Sequence, residues 1–359
     1  MTDRQLHIIS FDNPYPPTYG GAIDVFYRIK ALSEAGVEIT LHCFYKGPSQ
    51  RAKQLESLCK TVYYYPRKTG LLQHLSLHPY GVKSRSSKQL LTRLLMDDSP
   101  ILFEGLVSCG LMSHPALRHR TKYFRECNVE HDYYHALGKA SHSLWKKLFY
   151  HLEAWRLKRF ERNLCCASEI WALSHQDEAY FRTTYPQTTT KYVPCAHGHT
   201  ALHVAEGIGS PYILYHGNLA VEENEKAATY ILRHLAAKLP LPLVIAGKAP
   251  SARLKRIIAQ YKDVQLIENP SSEKMEQLIQ DAQIHLLITF QATGIKLKLL
   301  NVLYNGRHII VNSQMIAGTD YKSLCHVGDN DEELIRLCTE YAHRPILAEE
   351  IKQRKELLV

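Results

Sequence analysis

The sequence predicts an α/β fold built from two doubly wound, parallel-sheet domains. Three observations predict it. Short apolar runs alternate with helix-period segments, and they do so in two separate series. A stretch rich in Pro, Gly, Thr and His, 186–211, stands between the two series. The chain has 359 residues, 45% hydrophobic and 22% charged, enough for two independent cores.

The elements follow in order. LHIISF (6–11) reads as a buried strand, followed by the loop DNPYPPTYGG (12–21). AIDVFYRIKALSEAG (22–36) has apolar residues at helical spacing and stops at Gly36, a residue suited to a C-terminal cap. VEITLHCFY (37–45), TVYYYP (61–66), SPILFEG (99–105) and KYFREC (122–127) are the next strands. An amphipathic helix over 143–166 and a strand at EIWALS (169–174) close the first series. The second series has strands at 212–218, 242–248, 264–269, 284–290 and 307–312. Helices at 224–239, 251–261, 271–282, 295–306 and 331–344 alternate with them, and a helical tail covers 346–358. The expected domains are 1–195, joined by the terminal helix 346–359, and 206–335.

Charge is distributed unevenly. Residues 1–205 hold 26 Lys and Arg against 17 Asp and Glu, while residues 206–359 hold 18 of each. The net +9 therefore belongs to the first half. Ten basic residues lie within 46–93 beside Glu56 alone, and a second cluster comprises Lys146, Lys147, Arg156, Lys158, Arg159 and Arg162. Such a half attracts an anionic partner, or is a set of solvated helix faces. No apolar run reaches 18 residues, so no spanning helix is expected. MTDRQLHIIS lacks a signal-peptide pattern, and nine cysteines without a CxxC fit reduced thiols, so a cytoplasmic location is expected.

Two places carry chemistry on their residues alone. Gly20-Gly21 permits close backbone approach before a helix whose first N–H groups are free, although a tight turn would use the same residues. The pattern is neither GxGxxG nor GxxxxGK[ST]. In ITFQATGIKLKLLNVLYNG (288–306), a strand, a Thr293-Gly294 turn and a helix place Lys296 and Lys298 at the positive end of the helix dipole. That placement costs about a few tenths of a kcal/mol each unless an anion such as phosphate sits there. His197, His199 and His203 lack companions for a zinc set, so no metal is expected. No nucleic-acid motif accompanies the basic half, so no nucleic acid is expected.

At this point the sequence resembles a family. YPPTYGG…RIKALSEAGVEITL resembles the opening of GT-B glycosyltransferases, especially the retaining family called family 4 or group 1. TGIKLKLLNVLYNGRHIIV resembles their donor-site motif, and REC-NVEHDYY (125–134) a segment written RxHNxE. YILYHGNLAVEENEKAATYIL resembles the strand, loop and helix that open the nucleotide-sugar domain. The four segments occur in the family's order across nearly the whole chain. Two departures stand out. The family's pair of glutamates falls on Thr293 and Asn301, and its loop Arg and Lys are missing from GNLAVEEN.

The resemblance implies a GT-B architecture, two Rossmann-like domains facing across a cleft. It implies sugar transfer from a nucleotide-diphosphate sugar to a glycan or lipid-linked acceptor, with retention and without metal or other cofactor. The implied donor-binding residues are Gly20, Gly21, Gly217, Asn218, Lys248, Thr293, Gly294, Lys296, Lys298 and Asn301. The implied catalytic residues are Glu104, Asn128, Glu130 and His131, with Arg125 on the acceptor side. The lost acidic pair keeps a second reading open, a catalytically inactive GT-B protein that binds a nucleotide-sugar or glycan as a scaffold or partner. The basic half, with Leu71, Leu72, Leu75 and Leu77 beside it, would suit an anionic membrane surface.

Overall fold

A computed structural model describes residues 4–17, 19–47, 51–70, 73–74, 76–141, 143–290 and 297–358. The chain divides into two compact units, one running to Gly198 and the next starting at His199. Both are wound around a parallel sheet.

The first unit contains β1 (Gln5–Ser10), α1 (Gly20–Glu34), β2 (Glu38–Tyr45), α2 (Lys53–Leu58), β3 (Thr61–Pro66), α3 (Tyr80–Ser84) and α4 (Lys88–Leu94). Then follow β4 (Ile101–Glu104), β5 (Lys122–Arg125), α5 (Glu130–Ala140), α6 (Leu144–Glu161), β6 (Glu169–Ala172), α7 (His175–Thr184) and β7 (Thr189–Tyr192). The strand order is β3-β2-β1-β4-β5-β6-β7. β1 pairs with β2 from Gln5↔Glu38 and with β4 from His7↔Ile101, both parallel. The central strands are buried on both faces, which is why LHIIS and ILF read as continuous apolar runs. α1 lays Ala22, Val25 and Ile29 on the sheet and ends at Gly36, whose φ of 79° only glycine adopts without strain. One polar thread crosses this core. Asp97 meets His7 Nε2 at 3.0 Å, His7 Nδ1 meets His42 Nε2 at 2.9 Å, and His42 Nδ1 meets the Tyr65 hydroxyl at 2.9 Å.

The second unit contains β8 (Ser210–Asn218), α8 (Glu222–Tyr230), β9 (Leu243–Lys248), α9 (Ala252–Ile258), β10 (Val264–Glu268), α10 (Ser272–Asp281) and β11 (Ala282–Leu287). Then come α11 (Leu297–Asn305), β12 (His308–Val311), α12 (Ser313–Ile316), β13 (His326–Val327), α13 (Asp331–Tyr341) and α14 (Ala348–Leu358). The order β10-β9-β8-β11-β12-β13 repeats the winding of the first six strands. All six residues of β11 are buried.

Two expectations are corrected. The stretch 186–211 holds the edge strand β7, which pairs with β6 from Glu169↔Thr189. Its TTKY sequence has too few apolar residues to announce a strand, yet β-branched threonines suit an exposed edge. The terminal helix α14 clusters with the second unit, not with the first. Arg354 is the reason. Its buried guanidinium donates to the carbonyls of Gly306 and Arg307, capping the chain between α11 and β12, and the Tyr304 hydroxyl reaches Leu358 O at 2.5 Å.

Candidate functional site

In an open parallel sheet, ligands bind beyond the carboxyl ends of the strands where the winding reverses. That point lies between β1 and β4 in the first unit and between β8 and β11 in the second.

In the first unit this edge is organised by four buried charges. Asp24 and Arg28 pair within α1, and Arg28 Nε donates to Glu104 at 2.9 Å. Arg125 Nε donates to Asp24 at 3.2 Å, and its Nη1 and Nη2 reach the carbonyls of Val193 (2.5 Å) and Pro194 (3.2 Å). The Ala196 N–H completes the set at 2.7 Å from Asp24. Burial opposes the charge on Asp24, but Arg28 and Arg125 outweigh it and hold the carboxyl below its ordinary value. Glu104 and Arg125 each have 0% of their surface exposed. They tie the ends of β4 and β5 to α1 and to the outgoing chain.

Above this network the surface is different. Gly105 follows β4 at φ 72°, and a Cβ there would sit 3.3 Å from the Phe11 ring. A Cβ on Gly21 would come within 2.7 Å of the same ring, so the Gly20-Gly21 turn makes room for Phe11. Arg85 Nε donates to Phe11 O at 2.5 Å, and its Nη1 to Gly81 O at 2.8 Å. Around Arg85 lie Arg67, Asp12, Tyr134 and Tyr19. Burial and Arg67 lower its affinity for a proton to about 10. The Tyr19 hydroxyl donates to Asp12 at 3.1 Å. Glu130 opens α5, half-buried. Burial pushes its carboxyl up to about 7 despite Arg85, and Glu161 adds to the rise. Asn128 lies half-buried in the bend before it. His131 turns away and ties α5 to α6 through Glu161 at 3.0 Å. Glu130 therefore shares this edge with Arg85, Tyr19, Asp12 and Tyr134. The sequence singled out Glu130 among them and saw Arg85 only as one charge in a basic run.

In the second unit, β8 ends at Gly217-Asn218 and β9 at Gly247-Lys248. A Cβ on Gly247 would stand 2.0 Å from Gly217 O, so these two loops pass at a separation only glycine allows. Asn224, in the first turn of α8, is the hub. Its Nδ2 donates to Asn218 O at 2.9 Å, and its carbonyl accepts from the Tyr215 hydroxyl at 3.0 Å. Its Oδ1 accepts from Lys298 Nζ at 2.9 Å. Lys298 sits in the first turn of α11, with Nζ 5.1 Å from the Tyr215 ring centre. Asn301 is half-buried one turn on and accepts from Asn305 at 2.9 Å. Lys248 is exposed. Thr293, Gly294 and Lys296 lie outside the described residues, as do Leu71, Leu72 and Leu75. Beneath this edge His216 is buried, and neither ring nitrogen has a hydrogen-bond partner among the described residues. Burial and Lys298 drive its pKa down to about 3. Nothing in the sequence marked Asn224. An asparagine two residues into a glutamate-rich helix start looks like surface.

No protein-family description matches the chain. It is 26% identical over 334 residues to an uncharacterized 44.6 kDa protein in the cps region of Klebsiella pneumoniae, covering 88% of this chain and 84% of that one. Among solved structures, a UDP-forming α,α-trehalose-phosphate synthase of Burkholderia xenovorans, in complex with glucose-6-phosphate, superposes with a TM-score of 0.63 at 10% identity. The match covers 99% of this chain and 95% of that one. Anabaena HepE, in complex with UDP and glucose, gives 0.63 at 11%, over 98% and 95%. The fold is that of the GT-B glycosyltransferases. Phytolacca americana UGT2, complexed with UDP-2-fluoro-glucose and pterostilbene, matches at 0.53 and 12% over 98% and 92%. Among the described residues, no helix is long and apolar enough to cross a membrane.

Proposed function

We propose that this chain is a retaining, metal-independent glycosyltransferase that moves a hexose from a nucleotide-diphosphate sugar to a lipid-linked or free glycan acceptor at the cytoplasmic face of a membrane. The observation that carries the reading is the Lys298–Asn224–Asn218 hub at the reversal point of the second sheet. It joins a cation and a helix N-terminus to a glycine-lined loop, the combination a diphosphate needs. The GT-B likeness to proteins solved with UDP and sugars supports this reading, and the relative in a cps region supports a role in surface polysaccharide assembly.

In the proposed reaction, the bond from the sugar's anomeric carbon to the diphosphate oxygen breaks. A bond from the same carbon to the acceptor oxygen forms on the same face. The acceptor's proton passes to the departing diphosphate, so no enzyme nucleophile and no cofactor is required. Lys298, with Lys248 and Lys296, stabilises the charge that grows on the leaving group. Asn301 suits the ribose. On the acceptor side Glu130, a carboxyl poised near neutrality, orients the acceptor through a hydroxyl neighbouring the attacking one, and Asn128 lies beside it. Glu104, Arg125 and His131 act as positioning residues, since Glu104 Oε1 is bonded to Arg28, Arg125 to Asp24 and His131 to Glu161 within the first unit.

The test is a panel of nucleotide-sugars screened for thermal stabilisation and then for turnover with capsule-type acceptors. Stabilisation with turnover is the expected result. Stabilisation without turnover on any acceptor would favour a binding protein, and no stabilisation would leave only the fold.

A further inference from the structure

α6 presents two very different faces. Its inner side packs Ala154, Leu157 and Phe160 into the core of the first unit. Its outer side exposes Leu144 (82%), Trp145 (83%), Leu148 (63%), Leu152 (43%) and Trp155 (52%). The spacing 145, 148, 152, 155 puts these residues on one stripe about 100° wide. Leu77, 69% exposed, lies in a segment held against the same helix: Glu153 accepts from Tyr80 N at 2.8 Å, and Arg156 donates to His74 O at 3.1 Å.

The charges are sorted the same way. Both carboxylates of α6 point inward and are consumed there. Glu153 pairs with Arg156 at 2.7 Å, and Glu161 accepts from Tyr185 at 3.0 Å and pairs with His131. Every exposed charge on the helix is basic: Lys146 and Lys147 at one end, Arg159 at the other beside Lys158, which also pairs with Glu161 at 3.8 Å and donates to the Tyr180 hydroxyl at 2.6 Å. The Arg159 guanidinium lies 6.0 Å over the Trp155 ring.

We infer that α6 is a membrane-docking helix that lies in the interfacial layer of an anionic bilayer. Tryptophan rings partition to the boundary between headgroups and acyl chains, where an apolar body and an N–H are both accommodated. Lysines and arginines around such a stripe add about fivefold in partitioning each when anionic lipid is present. A second copy of the chain is a poorer occupant. The stripe from Trp145 to Trp155 is about 15 Å long and about 10 Å across, on the order of 150 Å², far short of the ~800 Å² per partner that a stable dimer buries. In either orientation it would also set basic ends against basic ends. This locates the contact on α6 and Leu77 instead of the wider basic run 46–93. Within that run Lys60 and Arg51 are already paired with Glu38 and Glu56, and Arg85 faces the carboxyl edge of the sheet. The inference rests on the proposed lipid-linked acceptor for its purpose, but not for its evidence.

The experiment is co-sedimentation of the full chain, without donor or acceptor, with phosphatidylcholine vesicles containing none, one fifth or two fifths phosphatidylglycerol. Bound fraction should rise at least tenfold with anionic content and fall at high salt. The double substitution Trp145→Ala, Trp155→Ala should lower it at least tenfold, with far-ultraviolet circular dichroism and melting unchanged. Lys146→Glu, Lys147→Glu should lower it as well while leaving both tryptophans in place. Equal binding by wild type and the tryptophan variant overturns the inference. So does binding indifferent to lipid charge, or a wild-type dimer in sedimentation velocity that the tryptophan variant abolishes. Nucleotide-sugar stabilisation measured on the same preparations is independent of vesicles, so loss of one result leaves the other standing.

Discussion

Acidification should destabilise the second unit through histidines that burial holds neutral, His216, His285, His308 and His326, and His216 is the one whose share can be worked out and removed. In an unfolded chain a histidine takes up a proton near pH 6.5, whereas the folded protein holds His216 neutral down to about 3. Its folded value is depressed, so its contribution to stability is fully present above pH 6.5. That contribution is lost as the pH falls toward 3, because the unfolded state binds a proton that the folded state refuses. The slope is about 1.4 kcal/mol per pH unit, so the loss is about 2 kcal/mol at pH 5 and would approach about 5 kcal/mol at pH 3. His216→Leu removes the titrating group from a buried position where its nitrogens have no described partner. The variant should therefore match or exceed the wild type at pH 7 and lose about 2 kcal/mol less between pH 7 and pH 5. Native-state hydrogen exchange of peptides covering β8 and β11, read by mass spectrometry in the slowest-exchanging amides, measures this locally. Equal acid losses in the two proteins would refute the reasoning.

Three further outcomes follow. Lys298→Ala should weaken nucleotide-sugar binding by about 1.5–3 kcal/mol in calorimetric titration, and an unchanged affinity would remove the diphosphate from the start of α11. For Glu130, kcat/KM should rise through a limb near pH 7 as the carboxyl loses its proton, and Glu130→Gln should abolish that limb; a profile that keeps it assigns the ionisation elsewhere. Asp24→Ala strands Arg28 and Arg125 without their shared carboxylate, so the first unit should lose about 3–5 kcal/mol in urea unfolding, against a near-zero change if the network were solvated.

The sheets were legible because parallel strands buried on both faces leave unbroken apolar runs such as IHLL and HIIV. The edge strand β7 was not, because an exposed strand needs no apolar residues and threonine also reads as loop. The carboxyl edge of the second sheet was half legible. Lys298 stood out because a cation at a helix start is out of place, whereas Asn224 matters only through tertiary contacts with Lys298 and Asn218 that no local pattern encodes. Glu104 and Arg125 were visible as charges ending apolar strands. That pattern cannot distinguish a residue reaching for substrate from one neutralised by a partner 76 or 101 positions away. The stripe on α6 was hidden for the opposite reason: an amphipathic helix in a sequence is ordinarily taken to bury its apolar side, and this one exposes part of it.

The four-charge network of the first unit also constrains how the chain can be made. Asp24 leaves the ribosome early, yet one of its acceptor sites is filled by the amide of Ala196, 172 residues later. Arg125 likewise waits for the carbonyls of Val193 and Pro194. Until that last segment emerges, α1, β4 and β5 cannot close over their charges without stranding polar groups, so the nascent unit remains open over most of its synthesis. Closure is then a late event that draws together sites far apart in the chain, the kind of step that proceeds slowly and exposes apolar strands to other chains meanwhile. Ribosome-stalled fragments ending before Val193 would need chaperone protection, and fragments that release Ala196 from the exit tunnel would be the first able to complete the unit.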